Sequence, residues 1–259
     1  MNHAIELRRG ITAEIYKYRR TFIIWFLILA PAFIPAINTI IFLSKGAKII
    51  QPEDNPWHLL FQFSAGPGNF LFPFFVMILA LFVNSLEHSS NTWKLIYSQP
   101  LSRFSLYFSK VIVFTLMILF SLLLFSVLTI AAGQLVHIIQ PSLGFDQPFE
   151  KSILIGISLK TFLCTLGYAS IQFWISQRWK NLMIPLGFGI AGFISFMILA
   201  QGWKYVEYHV YGYPTLSVGS ISDPEFAVWN HINYVWRSIG VAFMIYTLAA
   251  IDNQRKRII

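Results

Sequence analysis

Long apolar runs fill most of this chain, and each approaches the ~20 residues that an α-helix needs to cross about 30 Å of hydrocarbon. They lack the apolar-polar spacing of helices that lie on a soluble core. Backbone inside hydrocarbon has to satisfy its own polar groups, so each run is expected to be helical. Of the 259 residues, 56% are hydrophobic and 12% charged, about half the charged share of soluble domains. The expected fold is all-α, a polytopic membrane protein with six transmembrane helices near residues 21–43, 70–86, 107–139, 152–176, 181–200 and 237–251. The whole of 1–259 reads as a single transmembrane domain, in which 1–20 form an interfacial helix, 21–251 the six spans and 252–259 a cytoplasmic basic tail. The first run is expected to stay as a span, because Arg8, Arg9, Lys17, Arg19 and Arg20 precede it and no small-residue cleavage site follows.

The formal charge of +8 does not point to nucleic acid, since the basic residues cluster at the ends of apolar runs, where they orient a membrane protein. Arg8, Arg9, Lys17, Arg19 and Arg20, then Lys94, Arg103 and Lys110, then Arg178 and Lys180, then Arg255, Lys256 and Arg257 fall on one side. Lys45, Lys48, Lys151, Lys204 and Arg237 fall on the other. Each segment of the first group wins its local comparison, which places both termini in the cytoplasm.

Few polar groups lie within the runs. Lys160 is the exception, and has two readings: its ammonium snorkels outward from an interfacial turn, or it meets an anionic group in a translocation path. Every Asp and Glu falls in a loop, a tail or at a span end, which disfavours a carrier coupled to protons or sodium through a carboxylate at mid-membrane depth. Pro31 and Pro35 remove backbone donors from the first span and are expected to kink or open it, as candidates for the path. Gly187, Gly189 and Gly192 would allow close helix approach. The single cysteine, Cys164, excludes an intramolecular disulfide.

Outside the hydrocarbon, Leu7, Ile11, Ile15, Tyr18 and Phe22 recur at helical spacing, as in a helix lying in the cytoplasmic interface. Between the second and third spans, Ser89, Ser90 and Asn91 offer N-caps, Trp93, Ile96 and Tyr97 form an apolar face, and Pro100 ends the helix. A short amphipathic helix is expected there, either resting in the headgroups or docking a partner, and Ser102 is expected to cap the next helix. The stretch 201–236 carries Trp203, Tyr205, Tyr208, Tyr211, Tyr213, Trp229, Tyr234 and Trp236, as in an aromatic belt or a lid over an exit path.

The segment Glu87 to Lys110, with Glu87, Asn91, Thr92, Lys94, Pro100, Ser102, Arg103 and Lys110, resembles the ABC-2 type permeases, particularly their bacitracin-type and lantibiotic-immunity branch. Leu166 to Asn181 resembles the end of that family's fourth span, and Tyr213 and Pro214 give a weaker match. The resemblance implies a permease in a bacterial cytoplasmic membrane that pairs with a second permease copy, identical or related, within membrane lipid. It implies a coupling helix between spans two and three that docks a separate ABC ATP-binding subunit through Glu87, Asn91, Thr92, Trp93, Lys94, Ile96, Tyr97, Pro100 and Arg103. The implied cargo is an amphipathic molecule, such as an antimicrobial peptide, drug or lipid-like compound, moved outward. No cofactor is expected in this chain: no glycine is followed by lysine, so a Walker A loop is missing and ATP with Mg is expected on the partner.

The residues also admit two other functions. An intramembrane enzyme would need a polar constellation, for which His209, Asp223, Glu225 and His231 in one loop are the nearest candidates for a metal. A non-transporting scaffold would use the same apolar residues as a permease.

Overall fold

The computed structural model describes residues 3–51, 53–89, 102–148, 152–218 and 227–255, and among these all regular structure is helical. The helices are α1 (His3–Tyr18), α2 (Phe22–Ile49), α3 (Pro56–Ser89), α4 (Arg103–Ile139), α5 (Ser152–Arg178), α6 (Met183–Leu199), α7 (Tyr213–Ser217) and α8 (Asn233–Arg255). Five of them, α2, α3, α4, α5 and α8, are long and apolar enough to cross a membrane. The fifth expected span, α6, has 17 residues and a length of about 25 Å, short of the hydrocarbon thickness. The segment after it folds back beside it and buries Tyr211 and Tyr213.

Local sequence explains most helix ends. Asn55 caps α3 by accepting the Trp57 N–H at 3.0 Å, with Pro56 in the first turn, where its missing donor costs nothing. Ser102 caps α4, accepting the Ser105 N–H at 3.2 Å. At its far end the Gln140 side chain donates to the Leu43 carbonyl at 3.0 Å, which ties α4 to α2.

The second span, α3, starts at Pro56, well before the expected residue 70, and runs unbroken through Gly66, Pro67 and Gly68. In water that triplet would end a helix; inside an apolar bundle neighbouring groups take up what proline frees. α2 shows how. Pro31 leaves the Leu27 carbonyl without its usual donor, and the Ser121 hydroxyl of α4 donates to that carbonyl at 3.5 Å. Neither Pro31 nor Pro35 interrupts α2.

The main core lies where α2, α3, α4 and α5 meet, around Val76, Leu79, Phe114, Ile118, Tyr168 and Phe173. A second cluster, around Phe42, Trp57, Phe61, Val136, Leu143 and Phe145, closes the end of the bundle where α2 finishes and α3 begins. Gly133 makes room for it, since a Cβ there would lie 2.5 Å from the Trp57 ring. α8 packs along α5, and α1 along the first turns of α4.

α1 packs through an unexpected face. Ile5, Ile15 and Tyr16 are exposed, whereas Glu6, Gly10, Glu14 and Tyr18, spaced four residues apart, point inward. In an apolar surrounding the polar stripe gains most by turning towards protein partners.

Candidate functional site

The inward stripe of α1 meets a set of polar groups at the end of α3 and the start of α4. Gly10 permits the approach, because a Cβ there would fall 2.2 Å from Ser109 Oγ. Ser109 donates to the Leu7 carbonyl at 3.2 Å. The Glu6 carboxylate accepts from the Ser102 backbone N–H at 3.4 Å and the Ser105 hydroxyl at 3.3 Å.

One turn deeper, four charges gather. Lys17 donates to Glu14 at 2.5 Å and to Glu87 at 2.8 Å, and Lys110 pairs with the other oxygen of Glu87. Tyr18 donates to Glu14 at 2.8 Å. Glu87 is 2% exposed and Lys110 3%. Two carboxylates against two ammoniums leave the group formally neutral, which is what permits its burial. Burial alone would lower the Lys17 pKa, but Glu87 and Glu14 outweigh it and hold the ammonium above its ordinary value. Burial, reinforced by Glu14, pushes the Tyr18 phenol well up, so Tyr18 stays a donor.

Further bonds close this end of the bundle. Asn84 of α3 donates to Ser176 of α5 at 2.7 Å, Arg178 of α5 pairs with Asp252 of α8 at 2.6 Å, and Arg103 of α4 donates to the Gln254 carbonyl of α8 at 3.1 Å. The segment between Ser89 and Ser102 therefore joins two helices that this frame ties together.

Of the residues expected to dock a partner, Glu87 lies inside this frame instead of on a surface, and Arg103 reaches α8. Asn91, Thr92, Trp93, Lys94, Ile96, Tyr97 and Pro100 lie outside the described residues. Glu6, Glu14 and Lys17 had no place in the expected site. The signal for the two carboxylates was the four-residue spacing of Glu6, Gly10, Glu14 and Tyr18, which the apolar residues of α1 obscure; Lys17 falls outside that spacing.

The expected path residues separate. A cavity of ≈ 510 Å³ lies between α2, α3, α4 and α5, and Pro31 is part of its lining; Pro35 and Lys160 are not. Lys160 is buried within α5, where its ammonium donates to the Ser217 carbonyl and, at 2.5 Å, to that of Asn230. It thereby ties the end of α7 to Asn230, and among the described residues its ammonium meets backbone carbonyls and no carboxylate.

The aromatic stretch divides as well. Trp203, Tyr205, Tyr208, Trp229 and Trp236 are exposed, whereas Tyr211 and Tyr213 are buried. Tyr211 stacks on Tyr168, ring centroids 5.5 Å apart, and donates to Gln172 at 3.3 Å. Asp223 and Glu225 lie outside the described residues. His209 contacts the Ser195 hydroxyl at 3.0 Å, and burial lowers its pKa. Among the described residues no three metal-ligating side chains gather.

Against known proteins, residues 10–197 match a family model described as ABC-2 family transporter protein. No curated protein and no solved structure matches the chain. The matched stretch holds most of the charge frame, the segment between α3 and α4, and the whole cavity wall except Val218. The family consists of transporter membrane subunits that associate with an ABC ATP-binding subunit and are not themselves ATPases. By this match over well over half of its length, the chain belongs to the ABC-2 family of transporter proteins, as a multi-pass membrane permease.

Proposed function

We propose that this permease is the membrane half of a two-component exporter of the bacterial cytoplasmic membrane, with both termini inside, moving an amphipathic molecule outward. A separate ATPase docks on the segment 90–101, and a second permease copy completes the assembly within the lipid. The resemblance of Glu87 to Lys110 to the bacitracin-type and lantibiotic-immunity branch supports a peptide antibiotic or similar amphiphile as cargo.

The observation that carries this reading is the buried group formed by Lys17, Glu87, Glu14 and Lys110 at the roots of that segment. A docking loop on flexible hinges would absorb the partner's motion. Here both roots are bonded to each other and to α1, so closure of an ATPase dimer would move α3, α4 and α1 together and bias the spans between two packings. Glu87 and Arg103 hold the docking element in place, while Trp93, Ile96 and Tyr97 supply the apolar anchors, as buried aromatic side chains carry much of an interface's energy.

Co-purification of the membrane subunit with its ATPase tests this. Trp93→Ala with Tyr97→Ala is expected to lower recovery of the ATPase by about tenfold or more, two interface anchors being worth at least 2 kcal/mol together. Undiminished recovery contradicts docking at this segment.

A further inference from the structure

The cavity between α2, α3, α4 and α5 has walls of a particular chemistry. Ser64, Ser121, Ser126, Thr129 and Ser158 line it, yet each donates its hydroxyl to a helix carbonyl: Leu60, Leu27, Leu154, Phe125 and Leu122 respectively. Those groups are satisfied within the wall and ask nothing of an occupant. Asn69 differs. It is half-buried at the cavity wall and its side chain has no hydrogen bond among the described residues. Most of the remaining lining is Phe, Leu, Ile and Ala.

Position and dimensions narrow the occupant. Leu29 and Phe33 of α2 and Leu71 of α3 line the cavity and are also exposed on the outside of the bundle, so it opens sideways towards lipid. Along α3 the lining runs from Phe61 to Ile78, seventeen residues or about 26 Å, and beyond Asn69 its members Leu71, Phe72, Phe74, Phe75 and Ile78 are all apolar. Asn69 also stands at the start of the apolar run 70–86, so a carbonyl held there would lay its alkyl chain along that run. The volume of ≈ 510 Å³ lies within the range of formed ligand sites. Glu87 and Lys110 lie beyond Ile78, so the cavity stops short of the charge frame.

We propose that this cavity binds one acyl chain of an ester- or amide-linked lipid or lipopeptide. The acyl carbonyl accepts from the Asn69 amide, and the alkyl chain runs past Phe72 and Phe75 to Ile78. The inference rests on the transport reading for one point, that the bound amphiphile belongs to the cargo class. The site lies within a single copy of the chain and forms without a partner.

The full-length protein is placed in nanodiscs of phosphatidylethanolamine and phosphatidylglycerol containing a trace of phosphatidylglycerol with a diazirine near the end of one chain. After illumination, the attachment sites are mapped by mass spectrometry. Labelling is expected to concentrate between Phe72 and Ile78 and at Phe125, relative to Phe243, which is 75% exposed on α8. Gly68→Leu fills the cavity without a backbone clash, because a Cβ there meets only the Phe125 ring, at 3.7 Å. It removes room for two or three methylene groups and lowers cavity labelling about tenfold, leaving Phe243 labelling unchanged. Asn69→Leu removes one hydrogen bond and lowers cavity labelling about fivefold; its melting behaviour and that of Gly68→Leu are recorded alongside.

Labelling that merely follows exposure around the bundle means annular lipid only and overturns the proposal. So does cavity labelling that both folded variants leave unchanged. Neither ATPase nor ATP is present, so failure here leaves docking at 90–101 untouched, and loss of docking leaves the labelling intact.

Discussion

Lys110 and Glu87 face each other with almost no solvent, and a buried pair of this kind has an asymmetric response to mutation. Lys110→Met leaves the Glu87 carboxylate with Lys17 as its one described cation and is expected to cost about 3–5 kcal/mol, since the loss is that of stranding a charge. Removing both charges, with Glu87→Leu and Lys110→Met together, is expected to fall within about 1.5 kcal/mol of the parent. Unfolding of the single and double variants in detergent micelles reads the difference, and a double variant at least as damaged as the single would refute the charge-stranding explanation. At this scale the sequence was legible where partners are neighbours. Ser102 is a recognisable cap because its acceptor role is filled three residues away by Ser105. The bond from Lys17 to Glu87 joins residues 70 apart, and no local pattern could have paired them. Lys160 was visible as an anomaly, but its partners are backbone carbonyls, which carry no sequence signature at all.

Helices α6 and α3 show what a sequence pattern does and does not convey about an element. Gly187, Gly189 and Gly192 looked alike as sites of close approach, yet their surroundings differ. A Cβ at Gly187 meets nothing within 4 Å, whereas one at Gly192 would sit 2.7 Å from the Tyr211 ring and one at Gly189 2.8 Å from Gln172 and Met77. Gly187→Ala is therefore expected to stabilise by about 0.5–1 kcal/mol through the lost flexibility of glycine in a helix. Gly192→Ala, which must displace a ring stacked on Tyr168, is expected to destabilise by about 1–3 kcal/mol. Melting curves of the two variants check the contrast, and the same sign for both would refute it. The apolar runs located every long helix, because a span is fixed by length and solvent rather than by neighbours. Ends were less legible: α3 begins at Pro56 because Gly66, Pro67 and Gly68 break helices only where water competes for their backbone. The buried face of α1 was missed for the opposite reason, since in a membrane protein the apolar side of a helix is free to face lipid.

For the whole molecule, the charge frame and the cavity lie at different depths of one bundle. α3 and α4 contribute to both, with Glu87 and Lys110 in the frame, Asn69 and Phe125 at the cavity. Under the proposed mechanism, motion imposed on their roots would reach the cavity walls along these two helices, without a contiguous wire of side chains. The permease character was legible in the sequence from the apolar runs and from the motif between Glu87 and Lys110, and the family match agrees. The cavity was not, because its lining residues are the same Phe, Leu and Ser that elsewhere fill the core. The proposed mechanism depends most on Trp93 lying on the cytoplasmic face under the bound ATPase. With the buried Cys164 changed to Ala and Trp93 to Cys, the permease in membranes of known orientation is treated from either side with a maleimide that cannot cross the bilayer. Modification from the cytoplasmic side alone, suppressed when the ATPase is bound, is the expected result; modification from the outer side, or modification unaffected by the ATPase, would contradict it.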